Sequence, residues 1–537
     1  MTAAASAGVP RIIHQTWKDT HPPTTHGDPA SWRRLNPGWD YRLWTDDDLL
    51  AFMQREFPDL LAMYSGYPLA VQRVDLARYC LLERCGGVYA DIDTRCVASL
   101  EPLAGDPRVI LCEEPPEHAE PALARGLGRM FFNGTMASPA GHPFWAEVIA
   151  LCRRMFPRRD GDVLETTGPL LLTAAVLQYP EQERLALNSC HAFARLTNNG
   201  VPSTAAPAGP CGGTVFSEHL WQGTWYKRRW ERRHTRILGR VRRVVHQLTA
   251  RPRLSLEQAR RRIDADLLTR PLRRGNACPP VAILVPARDA ADSLAANLAT
   301  IRGLDYPRER LTVIYGAGTS IDGTDDVIAG LIHEHAGHFA GMRVVSASSG
   351  TRRLKRHRRW RPKLQRRRRA GIARARNSLL RAALAEPVEW FLWLDADVIG
   401  VPPDLIQRLL EAEAKIVVPD CVLEPGGPSY DLNAFLEVGT PTVATYYRHC
   451  RHGLFQPPPR YWGRRHLDDL RYLRRTPLHG VGGTALLVHG DVHRAGLVFP
   501  EIPYRDLLET EAFGMLARDC GVVPMGLPQV TVIHARA

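Results

Sequence analysis

Two segments of this chain read almost alike: Gly86-Gly87-Val88-Tyr89-Ala90-Asp91-Ile92-Asp93 and Trp390-Phe391-Leu392-Trp393-Leu394-Asp395-Ala396-Asp397. Each carries an apolar run into two aspartates one residue apart. A short apolar run rich in aromatic and β-branched residues reads as a buried strand, in which alternate side chains share a face. The two carboxylates of each pair would then project together, roughly 6.6 Å apart at about 3.3 Å per residue. Where a buried strand ends, such a pair is a hard-oxygen site suited to Mg²⁺ or Mn²⁺ carrying a diphosphate. A single Asp-x-Asp says little, because turns and helix caps are rich in Asp. Two of them, each framed by further polar motifs, point to two metal–diphosphate sites and hence to a tandem enzyme.

The surrounding pattern repeats as well. RIIHQTW and Tyr41–Trp44 read as two strands, followed by Asp residues that cap a helix over Leu49–Phe57. Val71–Arg84 reads as a helix stopped by Gly86-Gly87, after which the first aspartate pair follows at once. Later, Val281–Arg288 and Leu311–Tyr315 read as strands, Ala373–Leu384 as a helix and Val530–His534 as a closing strand. Strands alternating with helices predict an α/β fold with mostly parallel sheets. At 537 residues the chain suggests two to four domains, at about 150 residues each. The expected division is a first domain over 1–225, a basic linker over 226–275 that is helical, and a second domain over 276–537 with a basic insertion at 352–369.

Bulk composition is that of an ordinary globular protein, 45% hydrophobic and 23% charged. No apolar run nears the roughly 18 residues of a membrane span, MTAAASAGVP lacks the form of a signal peptide, and eleven cysteines fall in no zinc spacing. A cytoplasmic location is therefore expected. The net charge of +14 is local, because Arg352–Arg376 holds 14 Lys or Arg and no acid. A nucleic-acid binder would spread its excess over a face and interleave aromatics, so no nucleic-acid partner is expected. The tract reads instead as a lid over the second site. The basic segments also leave open contact with a membrane surface or a lipid-linked acceptor.

In the first half, Asp75 and Arg78 lie three apart and share a helix face. They read either as an ion pair that supports the fold or as groups that hold sugar hydroxyls and phosphate. Gly86 and Gly87 either cap the helix or admit a nucleotide close to the backbone. Asn133 ends an apolar stretch, where its amide suits a sugar hydroxyl. Thr167-Gly168-Pro169 opens the helix Leu170–Leu177, with Pro in its first turn. His219, with Trp221 and Trp225 close by, is either a packing residue or a third metal ligand walled by aromatics.

Taken in order, Pro10–Trp17, Asp75…Arg78, Gly86–Asp93, Thr167-Gly168-Pro169 and His219…Trp225 resemble glycosyltransferase family 32, which includes fungal initiating α-1,6-mannosyltransferases. The resemblance covers most of residues 10–225. It implies a GT-A fold, a nucleotide-sugar donor, a divalent cation and retention of anomeric configuration. It would place Asp91 and Asp93 on ribose and metal, Asp75 and Arg78 on the donor sugar, and His219 on the metal. Gln15, Trp17, Gly86, Gly87, Tyr89, Asn133 and Trp225 would line the donor, with Thr167, Gly168 and Pro169 toward the acceptor.

In the second half, Arg374 and Asn377 share a helix face, and the planar fork of Arg suits phosphate oxygens. Val481–Val488 is a Gly-rich entry into a strand. Glu509 and Glu511 sit two apart on an expected helix, so only one should point inward; Glu511 is taken as that one. His534 is a third metal ligand or a terminal packing residue. Ala373–Asn377, Trp393–Asp397, Gly482-Gly483-Thr484, His493–Leu497, Glu511–Phe513, Gly526-Leu527-Pro528 and His534 together resemble glycosyltransferase family 62, the fungal mannan polymerase subunits. That implies a second GT-A domain transferring mannose from GDP-mannose with Mn²⁺. Asp395, Asp397 and Glu511 would be catalytic, Arg374, Arg376, Asn377, Gly482 and Gly483 would bind the donor, and Asp397 and His534 would hold the metal.

The combined expectation is a bifunctional retaining glycosyltransferase using Mn²⁺ or Mg²⁺, a GDP-mannose-type donor and a glycan or small-molecule acceptor. Two alternatives remain: one half active with the other binding glycan, or a polyanion-binding protein built on the basic tract. A glycoside hydrolase fits less well, since its carboxylates must flank the scissile bond about 5 to 9.5 Å apart.

Overall fold

At Gly86-Gly87 a helix has to stop and a central strand has to start, and both residues take left-handed backbone angles, φ +64° and +92°. A Cβ on Gly86 would come within 2.5 Å of the Ala140 backbone nitrogen, and one on Gly87 within 2.5 Å of the Ile12 carbonyl oxygen. Glycine is therefore demanded by the close approach of neighbouring chain segments. Both residues are buried. This corrects the expectation that they open the backbone to a nucleotide.

The computed structural model describes residues 8–22, 27–222, 241–245, 253–272, 278–350 and 361–536. The chain falls into two compact units, residues 1–229 and 230–537. In the first, the strands are β1 (Ile12–Thr16), β2 (Asp40–Trp44), β3 (Gly87–Ala90), β4 (Thr94–Cys96), β5 (Val109–Cys112), β6 (Thr135–Ser138), β7 (Leu185–Asn188) and β8 (Ser217–His219). The main sheet has the order β2-β1-β3-β6-β5-β7. It is parallel across β2-β1-β3, while β6 runs antiparallel to both β3 and β5. Helix α1 (Ala70–Cys85) precedes β3, and α2 (Pro169–Gln178) begins with Pro at its first position. The helix after β2 starts at Asp46, capped by Thr45 in a reciprocal box with Asp48. β4 pairs with β8 as a separate two-stranded ribbon.

The second unit contains β9 (Val281–Ala287), β10 (Leu311–Ala317), β11 (Gly341–Ser346), β12 (Trp390–Leu394), β13 (Val398–Gly400), β14 (Ile416–Val422), β15 (Leu436–Glu437), β16 (Cys450–Arg451), β17 (Leu454–Phe455), β18 (Arg464–Arg465), β19 (Thr476–Pro477), β20 (Ala485–His489) and β21 (Met525–His534). Its main sheet runs β11-β10-β9-β12-β20-β14-β21-β13, with β19 on β21. Again the flank up to the aspartate-bearing strand is parallel, and β20 beyond it is antiparallel. Both sheets are thus mixed, against the expectation of mostly parallel ones. On one side of each strand that leads into an aspartate pair, the neighbouring strand runs the opposite way.

Two further expectations change. Helix α3 runs over Pro362–Ala383, so the described end of the basic tract is the start of the motif helix and not a loop. Arg is a good helix former and Pro362 sits in the first turn. Gln365, Ala373, Arg376 and Leu380 lie buried on one stripe. Residues 351–360 lie outside the described residues. In the expected linker, residues 241–245 are helical and exposed, and residues 253–272 pack on the second unit. There Leu254 N donates to Pro503 O and Asp264 N to Ala495 O, and Leu268 is 1% exposed. The second unit therefore begins before residue 276.

All eleven cysteines are free thiols. No described helix is long and apolar enough to cross a membrane. Gly87→Ala should destabilise the protein by about 2–4 kcal/mol, through positive-φ strain and a backbone clash. A lowered urea midpoint with an unchanged slope is the expected readout.

Candidate active sites

In both units the aspartate pair sits just beyond the strand, in a turn rather than on the pleat. β3 ends at Ala90 and β12 at Leu394, so pleat alternation is not what orients the carboxylates. The turns are fixed by backbone bonds. Asp91 N donates to Gly134 O at 2.7 Å and Thr94 N to Asp91 O at 3.2 Å. Likewise Asp395 N donates to Thr484 O at 2.9 Å and Val398 N to Asp395 O at 3.0 Å.

In the first unit, Arg78 of α1 reaches under the turn. Its Nη2 lies 3.1 Å from Asp75 Oδ1 and 3.1 Å from Asp91 Oδ1, and its side chain is 5% exposed. Asp75 is held from three sides: by Arg78, by Thr167 Oγ1 donating at 2.9 Å and by Asn133 Nδ2 donating at 3.2 Å. Burial pushes the Asp75 carboxyl up to about 6, against the opposing pull of Arg78. Asp91 is likewise raised by burial, and its Oδ1 accepts the Tyr89 hydroxyl at 2.9 Å. Gln15 Nε2 donates to the Asp91 carbonyl at 3.1 Å.

On the other side of the turn, His219 from β8 places Nε2 3.0 Å from Asp93 Oδ1 and 4.0 Å from Asp91 Oδ2. Burial opposes the Asp93 charge, but the His219 hydrogen bond and charge hold its carboxyl below the usual value. Trp221 and Phe132 wall the imidazole, with ring centroids at 4.3 Å and 5.0 Å. Ligand atoms of Asp91, Asp93 and His219 all lie within 4.8 Å of one another.

The second unit repeats this plan with other residues. Arg376 of α3 lies with Nη2 2.8 Å from Asp395 Oδ1, its side chain 5% exposed. His534, ending β21, places Nε2 2.9 Å from Asp397 Oδ2. Burial raises Asp395 to about 7, with Arg376 opposing and Asp397 adding to the shift. Burial lowers His534, but the bond to Asp397 outweighs it and the net shift is upward. The backbone repeats too: Leu220 N donates to Asp93 O at 2.9 Å, and Ala535 N to Asp397 O at 2.8 Å.

Several expected site residues prove to be supports. Tyr89 and Gln15 are fully buried and act on Asp91 from beneath. Thr167, Gly168 and Pro169 are buried, Thr167 holding Asp75, so this run offers no acceptor surface. Asn133 likewise turns its amide onto Asp75 and Tyr79. Trp17 is half-buried at the end of β1, and its indole N–H has no hydrogen-bond partner among the described residues. Trp225 lies outside the described residues.

In the second unit, Asn377 does not face a diphosphate. Its Nδ2 donates to Phe499 O at 2.9 Å and its Oδ1 accepts from Phe499 N at 3.0 Å. Arg374 bonds the Ser349 carbonyl from the half-exposed face of α3. Gly482 and Gly483 are buried, and a Cβ on either would come within 2.6 Å of Asp431 Oδ2 or Arg376 Nη2 respectively.

Glu509 and Glu511 open helix α4 (Glu509–Asp519), and both are buried, at 6% and 5% exposure. Glu509 has φ +56°, so the helical divergence of residues two apart does not apply to it. Glu509 pairs with Arg376 at 3.3 Å; Glu511 bridges Arg369 and Arg464, the latter at 3.2 Å. Arg369, expected in a lid, is thus an internal strut.

The residue that sequence reasoning missed is Asp431. Its Oδ2 accepts from Gly483 N at 2.8 Å, Thr484 N at 3.2 Å and Thr484 Oγ1 at 2.9 Å. It fixes the Gly-Gly-Thr loop that carries the acceptors for Asp395 N and Arg376. No spacing in the sequence links position 431 to 483.

Asn377→Ala should therefore cost about 2–4 kcal/mol of stability, by stranding the Phe499 backbone groups. Denaturant unfolding checks this; an unchanged midpoint would return Asn377 to the donor site.

Comparison with known proteins fits this geometry. Residues 264–503 match the family described as Anp1, and residues 24–110 match "Glycosyltransferase sugar-binding region containing DXD motif". The mannan polymerase complex subunit mnn9 of Schizosaccharomyces pombe is 30% identical over 256 residues, covering 43% of this chain and 73% of that protein. Inositol phosphoceramide mannosyltransferase 3 of the same organism is 34% identical over 174 residues, covering 31% of this chain and 45% of that protein. The chain thus spans less than half the length of this second relative. Among solved structures, a Pyrobaculum calidifontis mannosyltransferase in complex with GDP-Man and Mn²⁺ is 17% identical, covering 56% of this chain and 68% of that one at a TM-score of 0.30. That score is too low to bear on the argument. The chain belongs to the Anp1 family through its second half, and its first half carries the DXD sugar-binding region of glycosyltransferases.

Proposed function

We propose that the chain is a bifunctional glycosyltransferase with two GT-A units, each transferring a sugar from a nucleoside-diphosphate donor. The observation that carries this is the arrangement built twice: a buried helix Arg on the first aspartate of the pair, and a strand-borne His on the second. Family membership supports glycosyl transfer, and the names of the relatives favour mannose as the sugar in the second unit.

The donor sets suit a divalent cation. Asp91, Asp93 and His219 combine hard carboxylate oxygens with one imidazole, a mixture suited to Mn²⁺ more than Ca²⁺. In the second unit Asp397 and His534 would hold the ion, and Asp397 Oδ1 is a buried acceptor with no partner among the described residues. When bound, the cation supplies Lewis-acid stabilisation of the departing nucleoside diphosphate. The chain's own groups do the rest. Arg78 and Arg376 hold the first aspartates in place and bring fixed positive charge close to where negative charge develops. Burial of both guanidinia keeps that charge oriented before the donor arrives. Asp431 and the Gly-Gly-Thr loop fix the floor of the second site.

Intact protein with Mn²⁺ should consume GDP-mannose in preference to UDP-sugars, by hydrolysis when no acceptor is present. With the first site silenced by Asp93→Ala, Asp397→Asn should reduce this at least 100-fold, and excess EDTA should do so in the intact protein. Consumption of UDP-sugars alone, followed by mass spectrometry, would remove the mannosyl assignment of the second unit.

A further inference from the structure

Tyr430 is conspicuous among the tyrosines of the second unit. Tyr306, Tyr315, Tyr461, Tyr472 and Tyr504 bury their rings, whereas Tyr430 is 40% exposed. Its ring packs on His534, with centroids 4.5 Å apart and planes tilted by 47°. His534 in turn bonds Asp397, whose side chain is 46% exposed. The Tyr430 ring and the Asp397 side chain both reach solvent, and both contact the His534 imidazole.

The placement is fixed by the residues on either side. Ser429 Oγ donates to the buried Asp420 at 2.6 Å and accepts from Asp468 N at 2.9 Å, and Asp420 is also held by Arg471 at 2.7 Å. Tyr430 N donates to Cys421 O at 2.7 Å. Asp431 turns the other way to hold Gly483 and Thr484. With both neighbours anchored inward and its own backbone tied to β14, Tyr430 presents its ring outward.

We propose that the Tyr430 ring is a stacking platform for a hexopyranose at the second site, and so a residue that sets sugar specificity. This rests on the glycosyltransferase reading of that unit. An aromatic face buries the apolar C–H face of a sugar while leaving its hydroxyls free to hydrogen-bond. Position selects the sugar over the nucleobase. In a nucleoside-diphosphate sugar the diphosphate meets the cation, the base lies beyond the ribose, and the transferred sugar sits next to the diphosphate. A ring one imidazole away from Asp397 is therefore within reach of the sugar being transferred or of the acceptor sugar.

The test uses intact protein carrying Asp93→Ala, which silences the first site, with Tyr430→Phe or Tyr430→Ala added. Three readouts are taken with Mn²⁺: saturation-transfer NMR with methyl α-mannopyranoside, the KM for GDP-mannose hydrolysis, and the Kd for GDP. Tyr430→Phe should stay within twofold on all three. Tyr430→Ala should lose at least fivefold of the mannoside saturation if the platform serves the acceptor. It should instead raise the GDP-mannose KM at least fivefold if the platform serves the donor sugar. In either case the Kd for GDP should be unchanged. Equal behaviour of Tyr430→Ala and its parent overturns the proposal, as does a matching loss of GDP affinity, which would mark a nucleobase contact. If the parent neither binds the mannoside nor hydrolyses GDP-mannose, the mannosyl reading of the second unit falls and the platform with it. Hydrolysis that persists unaltered in Tyr430→Ala, with mannoside saturation also unaltered, sinks the platform alone.

Discussion

A guanidinium buried beneath an aspartate-bearing turn is the interaction on which each half of this protein depends. The Arg78 and Arg376 side chains are both 5% exposed, a depth at which a fixed positive charge has to be paired. Each is met by the first aspartate of its pair and by a second carboxylate: Asp75 for Arg78, Glu509 for Arg376. Removing one partner of such a group typically costs about 3–5 kcal/mol, because the other charge is left buried alone. The turn is thus tied to the packing of a long helix. The second aspartate meets a histidine, with its side chain 17% exposed at Asp93 and 46% at Asp397.

The two halves reach this arrangement by different routes. In the first, Asp75 lies on the same helix as Arg78 and is itself held by Thr167 and Asn133. In the second, the supporting carboxylate comes from the start of α4, a separate helix, and the glycine loop is organised by Asp431. Shared geometry with unshared supports means that the constraint lies in the Arg–Asp–x–Asp–His relation.

Much of this was legible in the sequence because it was local. The strands Ile12–Thr16 and Trp390–Leu394, the helix stop at Gly86-Gly87 and the helix start at Pro169 follow from short-range apolar patterning and cap chemistry. The aspartate pairs and His534 stand out because each follows an apolar run, and His219 because Trp221 and Trp225 lie beside it. What escaped was set by tertiary contact. Glu509 turns inward because its backbone is left-handed, which no helical spacing anticipates. Asn377 looks like a phosphate contact beside Arg374, yet it is spent on the backbone of Phe499, 122 residues away. Asp431 carries no motif of its own, and only the fold brings it to the glycine loop. Pleat alternation does not orient the two pairs; the turns beyond β3 and β12 and their backbone bonds do.

The central claim is that two separate metal sites exist, one in each unit. Counting bound Mn²⁺ by electron paramagnetic resonance, on intact protein with saturating GDP and UDP, tests it most directly. The account predicts two ions per chain, one after either Asp93→Ala or Asp397→Ala, and none after both substitutions. A single ion per chain, or the loss of both ions on either single substitution, would contradict it.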